Sequence, residues 1–341
     1  HNGSIDTAKK IYDTRKLLKS LLGCDERYEL IFTSNCTEAC NLAIFGYLFN
    51  FKNQHIDVIF TSNEHNSVAR PLHQLKNMMD INLIEVTPDK DGVISPVAVA
   101  NAITADTKLI CVNHISNVTG NMTDIFQIGN TAKLRGIPLF VDGAQSLGHV
   151  NVDMTQNNIA FLAGAGHKGL HGSQGTGFLI FDTQYNLLPI RYGGTGTHSE
   201  SLSQPCVPPE AYESGTVNSA GIIGLGASAE WTYQNLAKIS LNTRYLTGEL
   251  LYGLKQIKNV RLYSSQTTGV VSFNFKDYSS TDIGDYLNEH DIAVRCGLHC
   301  APLIHTQLGT LERGTVRVSV GYNNTIKDIH ALLRHIDNLN R

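Results

Sequence analysis

The sequence predicts an α/β protein in which a large, mostly parallel sheet domain is followed by a smaller C-terminal α/β domain. Between residues 29 and 181, short apolar runs alternate with stretches of helical periodicity. This alternation is typical of βαβ units, whose parallel sheets are covered by helices on both faces. The 341 residues also exceed the size at which a single hydrophobic core usually stops growing.

Apolar runs bounded by polar or small residues predict the strands of the large sheet. They lie at 29–33, 57–61, 82–86, 108–113, 138–142, 159–163 and 176–181. A helical pattern opens the chain, and others are predicted at 37–48, 67–79, 96–103 and 124–135. Ligands of such sheets bind at the carboxyl ends of the strands, so we expect the functional residues there.

The amino-acid composition changes from about residue 183 to 218, where Gly, Thr, Ser and Pro dominate and hydrophobic periodicity is weak. A loop of this length in a compact domain is usually functional. A helix is predicted at 220–236, and a second α/β set follows: helices near 240–256, 282–290 and 326–339, and strands at 270–275, 292–295 and 315–320. We place the domain boundary between residues 236 and 237.

Composition excludes several classes of function. The formal net charge of −3 gives no basic surface for nucleic acid or an anionic membrane. No apolar run approaches the roughly 18 residues that span a bilayer. The seven cysteines form an odd set without CxxC spacing, which favours a reducing, cytoplasmic location over a disulfide framework. The sequence opens on His1 without a methionine, so we expect a processed or truncated start.

Two short motifs carry the strongest chemical signals. Asp142 ends an apolar strand, where it either caps the following turn or presents a fixed negative charge to a cofactor ring. Lys168 stands among glycines and alanines, whose small size lets a ligand approach. The alternative for Lys168 is a solvated turn. His167 and His171 have the spacing of metal ligands on a helix, but the glycines around them make a helix, and therefore zinc, improbable.

The segment at 34–37 joins a predicted strand to a predicted helix. Its small polar residues offer amides and hydroxyls to a phosphate at a helix N-terminus, with Thr37 as a donor. Plain helix capping by Ser34 or Asn35 explains the same residues. No GxxxxGK[ST] or GxGxxG pattern occurs, which disfavours nucleotide-binding folds.

The C-terminal domain adds a thiol and a buried cation. Cys300 stands near Arg295 and His299 in a predicted polar turn, a setting that lowers a thiol's pKa and makes a nucleophile. Cys296 fits the commoner pattern of a small buried hydrophobe. Arg317 lies within a predicted strand, where it needs either an internal carboxylate or a substrate carboxylate as partner.

Seven motifs, taken together and in order, resemble those of the cysteine desulfurases and selenocysteine lyases. They are EHNS, SNVTG, VDGAQS, GHKGLHG, YESGTVN, RCGLHC and GTVRVSVGYNNT, and they span most of the chain. This group belongs to the class V aminotransferases, which are fold-type I pyridoxal-phosphate (PLP) enzymes. The resemblance therefore implies that fold, the cofactor PLP, the substrate L-cysteine or selenocysteine, a homodimer, and a protein or thiol that accepts sulfur.

The resemblance also assigns roles to individual residues. It implies that Lys168 forms the Schiff base, that Asp142 pairs with the pyridine nitrogen, and that Gln145 binds the phenolic oxygen. His65 would stack on the ring and shuttle protons. The remaining assignments place Thr37, Cys36 and His167 at the phosphate, Thr216 at the phosphate of the neighbouring subunit, Asn117 beside cofactor and substrate, Arg317 and Arg295 at the substrate, and Cys300 as the sulfur-accepting nucleophile.

The sequence departs from the family pattern at several points. Ala165 replaces a usual hydroxyl residue, so we expect one phosphate contact to be lost or supplied by water, and Cys36 replaces a common threonine. An LDNAATT-like segment that usually precedes these motifs is missing from the sequence. We rank cysteine desulfuration first. The alternatives are a selenocysteine lyase, a cysteine-conjugate lyase or an aminotransferase that uses the same site, and a non-catalytic cofactor-binding or scaffold protein.

Overall fold

The computed structural model describes residues 2–197 and 199–340. Its large sheet has seven strands in the order β1-β7-β6-β5-β4-β2-β3. They are β1 (Tyr28–Thr33), β2 (Ile56–Thr61), β3 (Ile81–Val86), β4 (Thr107–Asn113), β5 (Leu139–Asp142), β6 (Phe161–Ala165) and β7 (Gly177–Asp182). All neighbouring pairs are parallel except the two that involve β7, which runs antiparallel to β1 and β6. The predicted α/β class with a mostly parallel sheet is confirmed.

Helices cover both faces of this sheet. They are α1 (Asn2–Leu21), α2 (Cys36–Leu48), α3 (Asn66–Leu75), α4 (Pro96–Asn101), α5 (Ile125–Leu134) and α6 (Ser219–Gln234). Successive residues of β4 show why both faces are buried. Ile110 and Val112 pack into the core beneath α1, α5 and α6, whereas Leu109 and Cys111 pack into the core beneath α2 and α3. Side chains of a strand point alternately to opposite faces, so a continuous apolar run fills both cores.

The second sheet has four strands in the order β10-β11-β9-β8 and is antiparallel. Its strands are β8 (Val260–Leu262), β9 (Val270–Phe275), β10 (Arg295–Gly297) and β11 (Thr315–Ser319), and its helices are α7 (Leu236–Gln256), α8 (Ser280–Asn288), α9 (Pro302–Leu308) and α10 (Ile326–Asn338). A separate core of buried apolar residues lies between this sheet and α7, α8 and α10. The domain boundary at residues 236–237 stays a proposal.

One predicted strand is wrong in its position. We expected a strand at 292–295 followed by a turn that holds both cysteines, but β10 begins at Arg295 and includes Cys296. Ile292 and Val294 pack against the C-terminal core without joining the ladder. The ladder forms only where β11 offers a partner, from Arg295 opposite Arg317 to Gly297 opposite Thr315.

The long segment that follows β7 is irregular, as the sequence indicates: its described residues up to 218 form no helix or strand. Glu213 fixes its far end, since this carboxylate binds Arg15 of α1 through two hydrogen bonds and also accepts from the Phe32 amide at 2.7 Å. Within the described residues, no helix is both long and apolar enough to cross a membrane.

Candidate active site

A cavity of about 250 Å³ opens at one edge of the large sheet, where β1, β4, β5 and β6 end. Every site residue predicted from the sequence lines it, apart from Cys300 and Thr216. The predicted residues in its wall are Cys36, Thr37, His65, Asn117, Asp142, Gln145, His167, Lys168, Arg295 and Arg317. The parallel strands bring the residues of the large sheet together, because parallel strands end at the same edge, and β10 and β11 of the second sheet add Arg295 and Arg317.

Asp142 and Lys168 face this cavity from adjacent strand ends. Asp142 is 2% exposed, and its Oδ1 accepts a hydrogen bond from the Ala144 amide at 2.9 Å. The carboxylate therefore caps its turn and also borders the cavity. Lys168 lies in the turn directly after β6. This turn packs against the chain after β5 so closely that a Cβ on Gly169 would lie 2.3 Å from the Leu147 carbonyl oxygen.

The N-terminus of α2 points into the same cavity. Asn35 is its N-cap, and its side chain accepts from the Glu38 amide at 2.9 Å. Thr37 is exposed at the first turn and lines the cavity. A helix of 13 residues presents free amides and the positive end of its dipole here, which suits a phosphate.

His65 is the N-cap of α3, and its ring nitrogen Nδ1 forms the capping hydrogen bond. Its Nδ1 accepts from the Ser67 amide at 3.0 Å and contacts the Ser67 hydroxyl at 2.6 Å. Burial lowers the pKa of His65. A neutral ring whose Nδ1 accepts carries its proton on Nε2, so that nitrogen is free to donate or return a proton.

Arg317 is a half-buried cation without an acidic partner. Its guanidinium donates to the Asn117 carbonyl oxygen at 3.0 Å, and its Nε has no partner. No carboxylate of the described residues forms an ion pair with it, which removes the internal salt bridge that the sequence left open. Burial and the neighbouring Arg295 lower the pKa of Arg317. A small carboxylate bound in the cavity would satisfy this charge.

Cys300 lies beside the cavity on a strained turn. It is exposed, and its Sγ is 4.0 Å from the Arg295 guanidinium. His299 and Cys300 both have positive φ, at 50° and 59°, a conformation that costs non-glycine residues energy and persists only where neighbours enforce it. Asn117 Nδ2 donates to the His299 carbonyl at 2.7 Å, and the Asn66 amide donates to the Cys300 carbonyl at 2.8 Å. These two bonds hold the thiol at the cavity's rim.

The Cys300 thiol opens onto a groove of about 460 Å³ that adjoins the cavity. Thr37, His65 and Ser67 line both spaces, so the groove and the cavity share one wall. Cys296, in contrast, packs against the C-terminal core, and burial raises the pKa of its thiol. The prediction of Cys300 as the exposed thiol and Cys296 as the more buried one is confirmed.

Several polar groups at this site were missed or misjudged from the sequence. Asn113 ends β4 opposite Asp142, and its Oδ1 has no partner. His299, which we predicted as a neighbour of the thiol, is 3% exposed, and its Nε2 contacts the Thr315 hydroxyl at 3.0 Å. Burial and Arg317 lower the pKa of His299 to about 3, so the ring is neutral. The position of Asn113 at a strand end was a signal that could have found it.

Glu64 lies just behind the site and is fully buried. It accepts from the Thr61 hydroxyl at 2.6 Å and from the Asn113 amide at 2.7 Å. Burial raises the pKa of Glu64 to about 8. When Glu64 is protonated, it places no negative charge beside Asp142.

Comparison with known proteins assigns the chain to a family. The model of the aminotransferase class-V family matches residues 1–332. The chain belongs to the class-V aminotransferases. It is 33% identical to a probable cysteine desulfurase from Methanothermobacter thermautotrophicus over 95% of this chain and 82% of that protein. A cysteine desulfurase from Yersinia pestis is 29% identical over 100% of this chain and 85% of its own.

Solved cysteine desulfurases have the same fold as this class-V aminotransferase. The apo structure of the enzyme from Thermococcus onnurineus NA1 superposes with a TM-score of 0.93 at 30% identity, covering 99% of this chain and 86% of that chain. The cysteine desulfurase CsdA from Escherichia coli, in an S-sulfonic acid form, gives a TM-score of 0.89 at 26% identity, covering 98% and 84%. The resemblance to the cysteine desulfurases and the fold-type I architecture are confirmed.

Class-V aminotransferases are PLP-dependent, which confirms the predicted cofactor. The residues of the cavity fit this group. A lysine, a buried carboxylate and a helix N-terminus face one space. A lysine suits the carbonyl of PLP, a carboxylate suits its pyridine nitrogen, and a helix N-terminus suits its phosphate. The unpartnered polar atoms of Asn113, Asn117, His299 and Arg317 offer further partners for cofactor and substrate.

Thr216 does not line this cavity. It is exposed and borders a smaller space of about 160 Å³, together with Ser34 and Arg191. His167 and His171 do not form part of a metal-ligand cluster among the described residues.

Proposed function

We propose that this chain is a PLP-dependent cysteine desulfurase, which converts L-cysteine to L-alanine and leaves a persulfide on Cys300. One observation carries the proposal: an exposed thiol, on a turn held by two hydrogen bonds to the His299 and Cys300 carbonyls, lies beside Arg295 at the rim of the cavity lined by Lys168 and Asp142. A simple aminotransferase needs no thiol nucleophile beside its lysine. Bound PLP supplies covalent attachment for the substrate amine and an electron sink for its carbon skeleton.

The cationic pair binds and orients the substrate. Arg317 donates to the substrate carboxylate in place of the carboxylate that the protein does not provide, and Arg295 adds positive charge on the same side. Asn117 fixes the Arg317 guanidinium through its carbonyl oxygen and presents its unpartnered Oδ1 to the cavity. Substrate recognition is thus prearranged before L-cysteine arrives.

Lys168 and His65 move the protons in this proposal. The Lys168 amine removes the α-proton of the substrate, and His65 Nε2 carries protons to and from the substrate side chain. Asp142 would hold a proton on the pyridine nitrogen, and Gln145 would bind the phenolic oxygen. Thr37, Cys36 and His167, which line the same cavity, would hold the phosphate.

Sulfur transfer then uses Cys300. Its thiolate attacks the substrate sulfur, and a sulfur–sulfur bond forms as the Cβ–sulfur bond breaks. The electron pair of the broken bond stays on the substrate carbon, which takes up a proton and becomes the methyl group of alanine. The persulfide is afterwards passed to a protein or a thiol, for which the groove beside Cys300 provides access.

Mass spectrometry after incubation with PLP and L-cysteine tests this function. We expect a gain of one sulfur on the peptide that contains Cys300, together with stoichiometric alanine. Cys300→Ser should lose both, whereas Cys206→Ser, which removes the other exposed thiol, should keep them. Undiminished alanine formation by Cys300→Ser would refute the role of this thiol.

The products distinguish the alternative functions. Pyruvate with ammonia would indicate a lyase, and an amino group moved to a keto acid would indicate an aminotransferase. Elemental selenium release from selenocysteine at a much higher efficiency would indicate a selenocysteine lyase.

We further propose a homodimer in which Thr216 of each subunit contacts the cofactor phosphate of the other. Its exposure, and its distance from the cavity of its own chain, support this arrangement. Mixing subunits tests it. Lys168→Ala and Thr216→Ala proteins should each bind PLP poorly, and after unfolding and refolding together they should regain one intact site per mixed dimer. If each site used its own Thr216, the mixture would regain none.

A further inference from the structure

Two cysteines and an aspartate converge beneath the cofactor cavity. Cys36 and Cys40 stand one turn apart on α2, so their side chains share a face of the helix, and Asp142 meets that face from the end of β5. The three ligand atoms all lie within 4.8 Å of one another. Cys36 Sγ is 3.7 Å from Asp142 Oδ1.

The cluster is buried, yet it is reachable from the cavity. Cys36, Cys40 and Asp142 are 8%, 0% and 2% exposed. Cys36 and Asp142 line the cavity wall, so an ion can enter from that side and retain a water as a further ligand. Cys40 lies one layer deeper, where burial raises the pKa of its thiol well above the ordinary value.

A disulfide does not explain this pair of thiols. Side chains four residues apart on a helix have Cβ atoms roughly 5–6 Å apart, whereas a disulfide needs roughly 3.5–4.5 Å. Closing the bond would require α2 to unwind at the point where it presents its N-terminus to the cavity. A bridging ion tolerates a longer distance between the two sulfur atoms. Two sulfurs bound to the same tetrahedral Zn²⁺ lie roughly 3.8 Å apart, whereas the sulfurs of a disulfide lie about 2.05 Å apart.

The ligand set selects the class of ion. Two thiolates and one carboxylate suit soft or borderline divalent ions such as Zn²⁺ and Cd²⁺, whereas Mg²⁺ and Ca²⁺ prefer all-oxygen sites. The alternative to metal binding is a purely structural role, in which both thiols fill the core beneath α2 among apolar residues. That alternative explains Cys40 well, whereas Cys36 in addition donates a thiol hydrogen bond to Asp142, which places a carboxylate oxygen within reach of an ion bound to both sulfurs.

We propose that Cys36, Cys40 and Asp142 bind one thiophilic divalent ion when the cofactor is absent, and that this ion and PLP exclude each other. Binding displaces the two thiol protons and changes no oxidation state. Exclusion follows because Asp142 cannot serve the ion and the pyridine nitrogen at once. The second half of the proposal thus rests on the proposed function of Asp142; the first half does not.

Cadmium binding to the chain purified without PLP tests the site directly. A Cys206→Ser/Cys300→Ser background removes the two exposed thiols, which would otherwise bind Cd²⁺ themselves. In that background we expect one Cd²⁺ per chain, with the ultraviolet charge-transfer band of cadmium thiolates. Cys36→Ser and Cys40→Ser should each weaken binding by at least about tenfold, since losing a ligand costs more than losing its outer-shell partner. Cys24→Ser leaves as many thiols as either of these variants and should bind as the background does.

The competition has its own readout. PLP added to the cadmium-loaded chain should release Cd²⁺ as the visible absorption of the bound cofactor appears, and the PLP-loaded chain should take up none. Equal Cd²⁺ binding by the background and by both cysteine variants would refute the metal site. Asp142→Asn, which keeps the shape of the side chain, should also bind weakly, and it guards against a misfolded Cys40→Ser protein. Simultaneous binding of one Cd²⁺ and one PLP would refute the exclusion while leaving the desulfurase proposal intact, because sulfur transfer is read separately on Cys300.

Discussion

Arg295 and Arg317 lie directly opposite each other on the antiparallel strands β10 and β11. Two guanidinium groups at adjoining positions repel each other, and no acidic side chain of the described residues forms an ion pair with either. The C-terminal domain therefore presents concentrated positive charge to the cavity of the large domain. An anionic substrate relieves the repulsion when it binds.

Replacing Arg317 with lysine should weaken substrate use far more than cofactor binding. Lysine keeps the charge but loses the planar pair of donors that matches a carboxylate. We expect kcat/KM for L-cysteine to fall by about a hundredfold or more, as for the loss of a charge-assisted pair. The visible absorption of bound PLP should be retained. Arg261→Lys, an exposed change in β8, is the control, and an unaltered KM in Arg317→Lys would contradict the carboxylate-binding role.

Glu64 should make the folded protein less stable as the pH rises. Its pKa rises from 4.5 to about 8 on folding, so the folded state holds this proton more tightly than the unfolded state does. The free energy of unfolding should therefore fall between about pH 4.5 and about pH 8, by up to about 1.4 kcal/mol per pH unit, and level off above.

Glu64→Gln mimics the protonated side chain and should remove this dependence. The substituted amide retains an oxygen for the Thr61 hydroxyl and the Asn113 amide. Urea unfolding across that pH range, with exposed Glu26→Gln as the control, measures the difference. A constant difference between Glu64→Gln and the original protein would show that Glu64 does not titrate in this range.

Buried neutral histidines should make the protein sensitive to acid. Burial lowers the pKa of His114 and of His305 to about 4, and His114 Nδ1 has no hydrogen-bond partner. The unfolded chain binds protons at these rings near the ordinary pKa of 6.5, before the folded chain does. Stability contributed by the neutral rings is thus present above about pH 6.5 and is lost as the pH falls toward about 4.

His114→Leu should shift the acid-unfolding midpoint to lower pH, because one ring that must stay neutral has been removed. Its backbone bonds to Asp142 and Thr123 do not depend on the side chain. Circular dichroism during acid titration checks this, with exposed His330→Leu as the matched change. Equal shifts in both variants would point to net charge instead of burial.

The ion pair between Arg15 and Glu213 should contribute strongly to stability. Its side chains are 10% and 9% exposed, and it joins α1 to the end of the irregular segment after β7. Removing one partner of a buried pair leaves an uncompensated charge and costs about 3–5 kcal/mol. We expect Glu213→Ala to lower the free energy of unfolding by about that amount in urea. Asp25→Ala, which breaks an exposed pair with Arg27, should cost less than about 1 kcal/mol. Similar values for the two variants would show that burial does not decide the contribution of the pair.

Local sequence patterns were sufficient for the large sheet because most of its strands are buried on both faces, with the edge strand β3 as an exception. Most of these runs are rich in apolar residues, as in Leu139–Asp142, and such a signal depends on few neighbours. The patterns were weaker in the C-terminal domain. Neither β8 nor α9 was predicted, since three residues of an edge strand and seven of a short helix carry too little periodicity. The strand β10 begins at Arg295 and not at Ile292, because β11 offers hydrogen-bonding partners only from there on.

By itself, the sequence determined the α/β class and the chemical identities of the site: Lys168 and Asp142 in their motifs, Arg317 on a strand and Cys300 in a turn. It left open whether Asp142 caps a turn or faces a cavity, and whether Arg317 pairs with an internal carboxylate. Only the tertiary structure decided these questions, because burial and partnership depend on which residues distant in sequence become neighbours. The same holds for the cluster of Cys36, Cys40 and Asp142, in which Asp142 lies 106 residues beyond Cys36 in the chain.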